Sequence, residues 1–100
     1  MRHEKPLAPG SAIGILGGGQ LGRMLAIAAA RLGYRTCVFD LDPGAPAAQV
    51  ANRHVVASYS DTEALRAFAN DCAVVTYEFE NVPVEAARLV ESIVPVRTGP

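Results

Sequence analysis

The feature that most constrains this sequence is a glycine pattern between a short apolar run and a helical repeat. Residues 13–16 are apolar, and Gly17, Gly19 and Gly22 then match the spacing G-x-G-x-x-G. Beyond them, apolar residues recur at spacings of three and four, as on one face of a helix. The sequence therefore predicts a strand, a glycine turn and a helix whose buried face is built from Leu21, Met24, Leu25, Ala28 and Leu32.

The rest of the chain alternates strand and helix patterns. Strands are predicted at 36–39, 54–57, 73–76 and 93–96, a helical turn at 47–51, and helices from Asp61 to Asn70 and from Pro83 to about residue 90. Gly33 is predicted to end the first helix. This alternation predicts one α/β domain, a Rossmann-like parallel sheet of four to five strands with flanking helices. Residues 1–12 show no periodicity and are predicted to be a flexible leader, which leaves 13–100 as the domain.

Composition excludes several classes of partner. The net charge is -1 without any block of like charges, so neither nucleic acid nor an anionic membrane is an expected partner. The longest apolar stretch, 24–30, is far shorter than the roughly 20 residues that span a bilayer. Cys37 and Cys72 lie in or beside apolar runs, and the N-terminus lacks the apolar core of a signal peptide. Buried, reduced thiols and a cytoplasmic location are therefore expected.

The glycine turn is predicted to bind a phosphate group. Its glycines allow a sharp turn, close approach of backbone to an anion and tight helix packing, while free N–H groups at the helix start point at the ligand. Gly18, Gly19, Gln20 and Arg23 are the candidate contacts. The Gly-Lys-Ser/Thr ending of a P-loop is missing, so ATP is not expected here. The alternative is a glycine turn that only permits tight packing, with Arg23 facing solvent.

Asp40 supports a rival interpretation. It ends the second predicted strand 18 residues after Gly22, near the place where Rossmann domains carry the carboxylate that binds an NAD ribose. An NAD(P)-binding domain of an oxidoreductase would explain the glycines and Asp40 together. Alternatively, Asp40 caps a loop with Asp42 and Pro43. A third hypothesis is an interaction module without a ligand.

A second polar segment follows the fourth predicted strand. Residues 76–81 carry two carboxylates, Glu78 and Glu80, together with an aromatic residue and an amide. Alternation along an extended segment would send both carboxylates to one side, where they could accept hydrogen bonds from sugar hydroxyls or an amine. The alternative for either residue is a solvent-exposed or helix-capping role. Ligands of parallel sheets bind at the carboxyl ends of the strands, which is where this segment, the glycine turn and Asp40 are all predicted to lie.

Three ordered motifs resemble one family. They are Gly17-Gly-Gly-Gln-Leu-Gly-Arg-Met24, Pro46-Ala-Ala-Gln-Val-Ala51 and Val75-Thr-Tyr-Glu-Phe-Glu-Asn-Val-Pro83. Together they are similar to the N-terminal, pre-ATP-grasp domain of 5-(carboxyamino)imidazole ribonucleotide synthase. The family's ligases use ATP and bicarbonate to carboxylate 5-aminoimidazole ribonucleotide, giving the N5-carboxylated nucleotide, ADP and phosphate.

The resemblance implies roles for individual residues. The glycine loop, with Gln20 and Leu21, would lie by the phosphate end of the ribonucleotide; Glu78 would contact its sugar, and Glu80 is a weaker candidate. Asp40 loses its special role. The chain ends before the family's other ATP-grasp domains, which are expected to hold ATP, magnesium and the catalytic groups, so no catalytic or metal-binding residue is expected here. The isolated chain is expected to be inactive, and the full-length enzyme to be a homodimer.

Overall fold

The computed structural model describes residues 10–77 and 82–98, and these form a parallel α/β domain. Five strands alternate with three α-helices and one short 3-10 helix, Pro46–Gln49. The strands are β1 Ala12–Leu16, β2 Arg35–Phe39, β3 Arg53–Val55, β4 Val74–Tyr77 and β5 Val96–Thr98. The helices are α1 Gln20–Arg31, α2 Thr62–Asn70 and α3 Val84–Glu91.

The five strands make one sheet in the order β3-β2-β1-β4-β5, and every pair is parallel. In the register of the central strands, Leu16 at the end of β1 lies between Phe39 of β2 and Tyr77 of β4. The predicted parallel sheet is confirmed, and it has five strands, the higher of the two numbers predicted. The carboxyl ends of β1, β2 and β4 meet at one edge, where parallel sheets bind ligands.

The sheet separates two apolar layers. The larger layer lies under α2 and α3 and is centred on Phe39 and Phe68, whose ring centroids are 5.4 Å apart. The smaller layer lies under α1 and contains Ile15, Ala26, Val38 and Ala47. The predicted stripe of α2 is confirmed, because its buried residues are Leu65, Phe68 and Ala69. Asp61 caps α2 as predicted, its carboxylate accepting a hydrogen bond from the backbone N–H of Ala64 at 3.1 Å.

The buried face predicted for α1 is wrong. Its buried residues are Gly22, Ala26 and Ala29, all small, whereas the larger apolar side chains face solvent. Met24 is 66% exposed, and the other large ones are Leu21, Leu25 and Leu32. The helix packs so closely on the sheet and on the 3-10 helix that only small side chains fit between them. Periodicity favoured the stripe of larger residues, but tertiary packing selected the adjacent stripe of smaller ones.

Several element boundaries differ from the predicted ones. β1 begins at Ala12. The backbone N–H of Gly10 donates to the carbonyl of Gly33, and the N–H of Ala73 donates to the carbonyl of Ala12, so residues 10–12 belong to the folded domain and not to the predicted leader. Residues 1–9 lie outside the described part. β3 covers residues 53–55 rather than 54–57, so it begins one residue earlier and ends two residues earlier than predicted. β5 begins at Val96 because the N–H groups of residues 93 and 94 still bond to the carbonyl of Val90. Gly33 ends α1 as predicted, at a φ of 87°.

Both cysteines are free thiols in the core, as expected. Burial raises the pKa of Cys72 from 9.0 to about 12, and burial also raises the pKa of the Cys37 thiol. The thiol of Cys72 donates a hydrogen bond to the carbonyl of Phe68 at 3.2 Å. No helix in the described part of the chain is long and apolar enough to cross a membrane.

The raised pKa of Cys72 predicts a loss of stability at alkaline pH. Below pH 9 the thiol is protonated whether the chain is folded or unfolded; between pH 9 and about 12 only the unfolded chain releases the proton. The Cys72 thiol should therefore not change the free energy of unfolding below pH 9, and it should lower that free energy as the pH rises above 9. Urea unfolding at pH 8 and pH 10.5 should show a larger drop for wild type than for Cys72→Ala. Equal drops would contradict the prediction.

Candidate functional site

The glycine loop, residues 17–19, connects β1 to α1 at the ligand-binding edge of the sheet. Gly17 turns the chain with a φ of 96°, which favours glycine, and its N–H donates to the carbonyl of Phe39 at 2.9 Å. Gly18 is buried: a Cβ placed on it would lie 2.8 Å from the Cβ of Ala45. The carbonyl of Gly18 accepts a hydrogen bond from the N–H of Ala47 at 2.8 Å. The 3-10 helix and the loop before it thus hold the glycine loop from behind.

Gly22 sets the distance between α1 and the glycine loop. A Cβ on Gly22 would lie 2.8 Å from the carbonyl oxygen of Gly17 and 3.2 Å from the Cγ2 of Ile15. The nearer contact, the carbonyl oxygen of Gly17, is a backbone atom that cannot move aside as the end of a flexible side chain could. The third glycine of the pattern therefore packs helix on strand, as predicted.

The start of α1 presents unpaired N–H groups. Gly19 is the N-cap residue and provides no side chain to cap the helix, and the first turn carries no acidic residue. Among residues 10–77 and 82–98, no group accepts a hydrogen bond from the N–H of Gly19, Gln20 or Leu21. These donors and the positive end of the helix dipole favour an anion at this point. Gln20 and Leu21 are both exposed beside it, Leu21 by 48%.

Arg23 lies in the first turn of α1 and is half-buried. Its Nε atom is buried and has no hydrogen-bond partner in the described part of the chain. A buried, unpaired guanidinium N–H costs free energy unless a ligand or a further protein group accepts its hydrogen bond. This arrangement differs from the alternative of an Arg23 that faces away into solvent.

Asp40 contacts the glycine loop directly. Its Oδ2 accepts a hydrogen bond from the N–H of Gly18 at 2.7 Å, and its Oδ1 accepts one from the N–H of Asp42 at 2.8 Å. The interpretation of Asp40 as a loop cap with Asp42 is therefore correct. The bond to Gly18, which spans 22 residues of sequence, was not foreseen.

A cleft opens beside the glycine loop. Its volume is about 560 Å³, and its walls include Asp40, Tyr59, Pro83 and Glu85. The ring of Tyr59 stacks on Phe39 with centroids 5.6 Å apart, and its hydroxyl lies 3.5 Å from the position of a Cβ on Gly17. Sequence reasoning missed Tyr59 because it lies in the loop after the third predicted strand and belongs to none of the three motifs. An aromatic residue a few positions after the carboxyl end of a strand is the signal that could have identified it.

The structure brings together two of the three predicted segments. The glycine loop is joined to Asp40 by the Asp40–Gly18 hydrogen bond, and the Ala47–Gly18 hydrogen bond joins it to the 3-10 helix. The third segment begins at Tyr77, next to Leu16 at the end of β1. Glu78 and Glu80 lie outside the described residues, so their predicted roles stay predictions.

The parallel sheet, the glycine loop and the open start of α1 define a Rossmann-like domain of the kind that binds phosphorylated ligands. The model of the ribonucleotide synthetase preATP-grasp domain matches residues 11–100. The chain belongs to this family.

Relatives of known activity agree with this assignment. The chain is 64% identical over 81 residues to N5-carboxyaminoimidazole ribonucleotide synthase of Brucella melitensis, a match that covers 81% of this chain and 22% of the relative. The N5-carboxyaminoimidazole ribonucleotide synthetase structure from Thermus thermophilus has a TM-score of 0.78 and 56% identity, over 84% of this chain and 23% of that one.

A further structure contains ligands. N5-carboxyaminoimidazole synthase from Aspergillus clavatus, in complex with ADP and 5-aminoimidazole ribonucleotide, has a TM-score of 0.74 and 41% identity, over 88% of this chain and 24% of that one. This chain thus spans about a fifth to a quarter of the length of these relatives. The relatives are ligases and do not support the hypothesis of an NAD-dependent oxidoreductase. The structure supplies a physical reason, because the carboxylate of Asp40 is engaged by the loop backbone.

Proposed function

We propose that this chain is the substrate-side domain of an ATP-dependent ligase of de novo purine biosynthesis. The ligase carboxylates 5-aminoimidazole ribonucleotide with bicarbonate and releases N5-carboxyaminoimidazole ribonucleotide, ADP and phosphate. The observation that carries the proposal is the unpaired start of α1 behind the glycine loop, in a chain whose relatives are ligases of this activity. The domain's share of the work is binding.

In this proposal the ribonucleotide phosphate binds at the start of α1. The N–H groups of Gly19, Gln20 and Leu21 donate to it, and the helix dipole adds a favourable field. Gly18 does not donate to the phosphate, because its N–H already donates to Asp40. In the proposal its role is to let the backbone approach the phosphate closely. Arg23 lies in the first turn, where the positive charge of its half-buried guanidinium can support the anion.

The sugar and the aminoimidazole extend from that phosphate along the carboxyl edge of the sheet. We assign Glu78 to the sugar and Glu80 as a weaker contact, because both follow β4, whose end lies next to the end of β1. Fixing the ribonucleotide at its phosphate and sugar holds its amine in place for carboxylation, which lowers the entropic part of the barrier.

ATP supplies the activation of bicarbonate when it is bound, and we propose that ATP and magnesium bind in domains beyond this chain. No group of three or more His, Cys, Asp or Glu side chains in the described residues could hold a metal ion. We further propose a cytoplasmic enzyme, in keeping with the two free thiols, and, from the resemblance alone, a homodimer.

The proposal predicts ribonucleotide binding that depends on Gln20. In an NMR titration of this chain, 5-aminoimidazole ribonucleotide should shift the amide signals of residues 17–23 and 78–81, whereas NAD should not. We propose that the side-chain amide of Gln20 also donates to the ligand, so Gln20→Ala, which keeps the backbone N–H, should weaken binding about fivefold, the value of one hydrogen bond near 1 kcal/mol. Gln49→Ala, which removes an exposed glutamine from the 3-10 helix, is the matched control and should bind as wild type does. Wild type that binds no ribonucleotide would exclude the proposed function.

A further inference from the structure

The glycine loop already carries one negative group. The carboxylate of Asp40 occupies the N–H of Gly18, which leaves the donors of Gly19, Gln20 and Leu21 for a ligand. We infer that Asp40 is a specificity-determining residue, which admits a single phosphate group at the start of α1 and disfavours a diphosphate. This inference rests on the proposed function, since it concerns which phosphate ligand the same loop accepts.

The physical basis is the overlap between the carboxylate and the path of a longer anion. A diphosphate laid along the loop would place its second phosphate towards the N–H of Gly18, the next backbone donor before Gly19. The Oδ2 of Asp40 lies there at 2.7 Å from the nitrogen. Two negative groups at such short range repel each other strongly where water is partly excluded. A single phosphate at the helix start uses only the three later donors.

Asp40 is held in place on every side. Its second carboxylate oxygen accepts the N–H of Asp42, its own N–H donates to Val55 at 3.1 Å, and the Nε2 of His54 lies 3.2 Å from its carbonyl oxygen. Swinging the carboxylate away to admit a second phosphate would break both of its hydrogen bonds. In the described part of the chain no lysine or arginine forms an ion pair with Asp40.

The test compares a monophosphate with a diphosphate. Asp40→Asn keeps an oxygen that can accept the Gly18 N–H but removes the charge. Dissociation constants for 5-aminoimidazole ribonucleotide and for inorganic pyrophosphate would be measured by NMR titration of wild type and variant. We expect Asp40→Asn to raise pyrophosphate affinity about tenfold and to leave ribonucleotide affinity within about twofold. Asp42→Asn removes a neighbouring charge of the same loop and should change neither ligand.

Each other result would overturn the inference. Unchanged pyrophosphate affinity would show that the charge does not discriminate, and an equal gain for both ligands would show a general field effect. A loss of affinity for both ligands would show that Asp40 only stabilises the glycine loop. Asp40→Ser, also neutral, repeats the comparison if the asparagine variant does not fold. If wild type binds no ribonucleotide, the proposed function fails; if it binds and the pyrophosphate ratio does not move, only this inference fails.

Discussion

The Gly22→Ala variant is expected to lose about 2 kcal/mol of unfolding free energy, although alanine is the better helix former by about 1 kcal/mol. The new Cβ would lie 2.8 Å from the carbonyl oxygen of Gly17, a backbone atom that cannot rotate away. The helix must therefore move off the strand, and its N–H groups move with it. Ribonucleotide affinity should fall by about tenfold or more, because the donors leave the position that the glycine loop defines.

The reverse substitution on the same helix, from alanine to glycine, isolates the effect of helix propensity. Ala28 is exposed in α1, so Ala28→Gly should lose only the helix propensity, about 1 kcal/mol, and keep ribonucleotide affinity. Urea unfolding gives the stability of both variants, and NMR titration gives their affinities. A Gly22→Ala protein that is more stable than wild type would show that α1 can shift without cost and that Gly22 does not set the packing.

The Gly14→Val variant is expected to lose about 3 kcal/mol of unfolding free energy, the upper end of the usual cost of overpacking. Gly14 lies in the middle of β1, where valine is otherwise a favourable strand residue. A Cβ there would lie 2.6 Å from the Sγ of Cys72, 2.8 Å from the Cζ of Phe68 and 2.9 Å from the Cγ2 of Val75. All three neighbours are buried, so the larger apolar layer has no free volume for the three carbon atoms of a valine side chain.

A double-mutant cycle tests whether that clash is the cause. Cys72→Ala removes the nearest atom, so Gly14→Val should cost about 1 kcal/mol less in the Cys72→Ala background than in wild type. Gly44→Val is the matched control: its Cβ would meet only the Oδ1 of Asp42, at an ordinary 3.5 Å, and its cost should stay within about 0.5 kcal/mol in either background. Strict additivity of Gly14→Val and Cys72→Ala would refute the packing explanation.

Much of the fold was predictable because local patterns and tertiary packing agree. The strand–glycine–helix unit, the cap at Asp61 and the left-handed end of α1 at Gly33 all depend on short-range preferences, and the structure confirms them. The burial of α1 was not predictable in this way. Its large apolar side chains satisfy the helical period as well as its small ones do, and only the distance of α1 from the sheet selects Gly22, Ala26 and Ala29.

The candidate site shows the same division. The glycine spacing and the resemblance of three motifs identified the loop, and the structure places the loop at the carboxyl edge as expected. Two contacts could not be read from the pattern, because they join residues far apart in sequence. The first is the Asp40–Gly18 hydrogen bond, and the second is the approach of the Tyr59 hydroxyl to Gly17.

The sequence by itself determined the class of fold, the position of the glycine loop and the family, since each depends on residue types at fixed spacings. Only the tertiary structure decided which side of α1 is buried, what the carboxylate of Asp40 binds and which loop donors stay unpaired. The physical reason is that close packing and hydrogen bonding between distant segments depend on distances of a few tenths of an ångström, and no periodicity in one dimension encodes such distances.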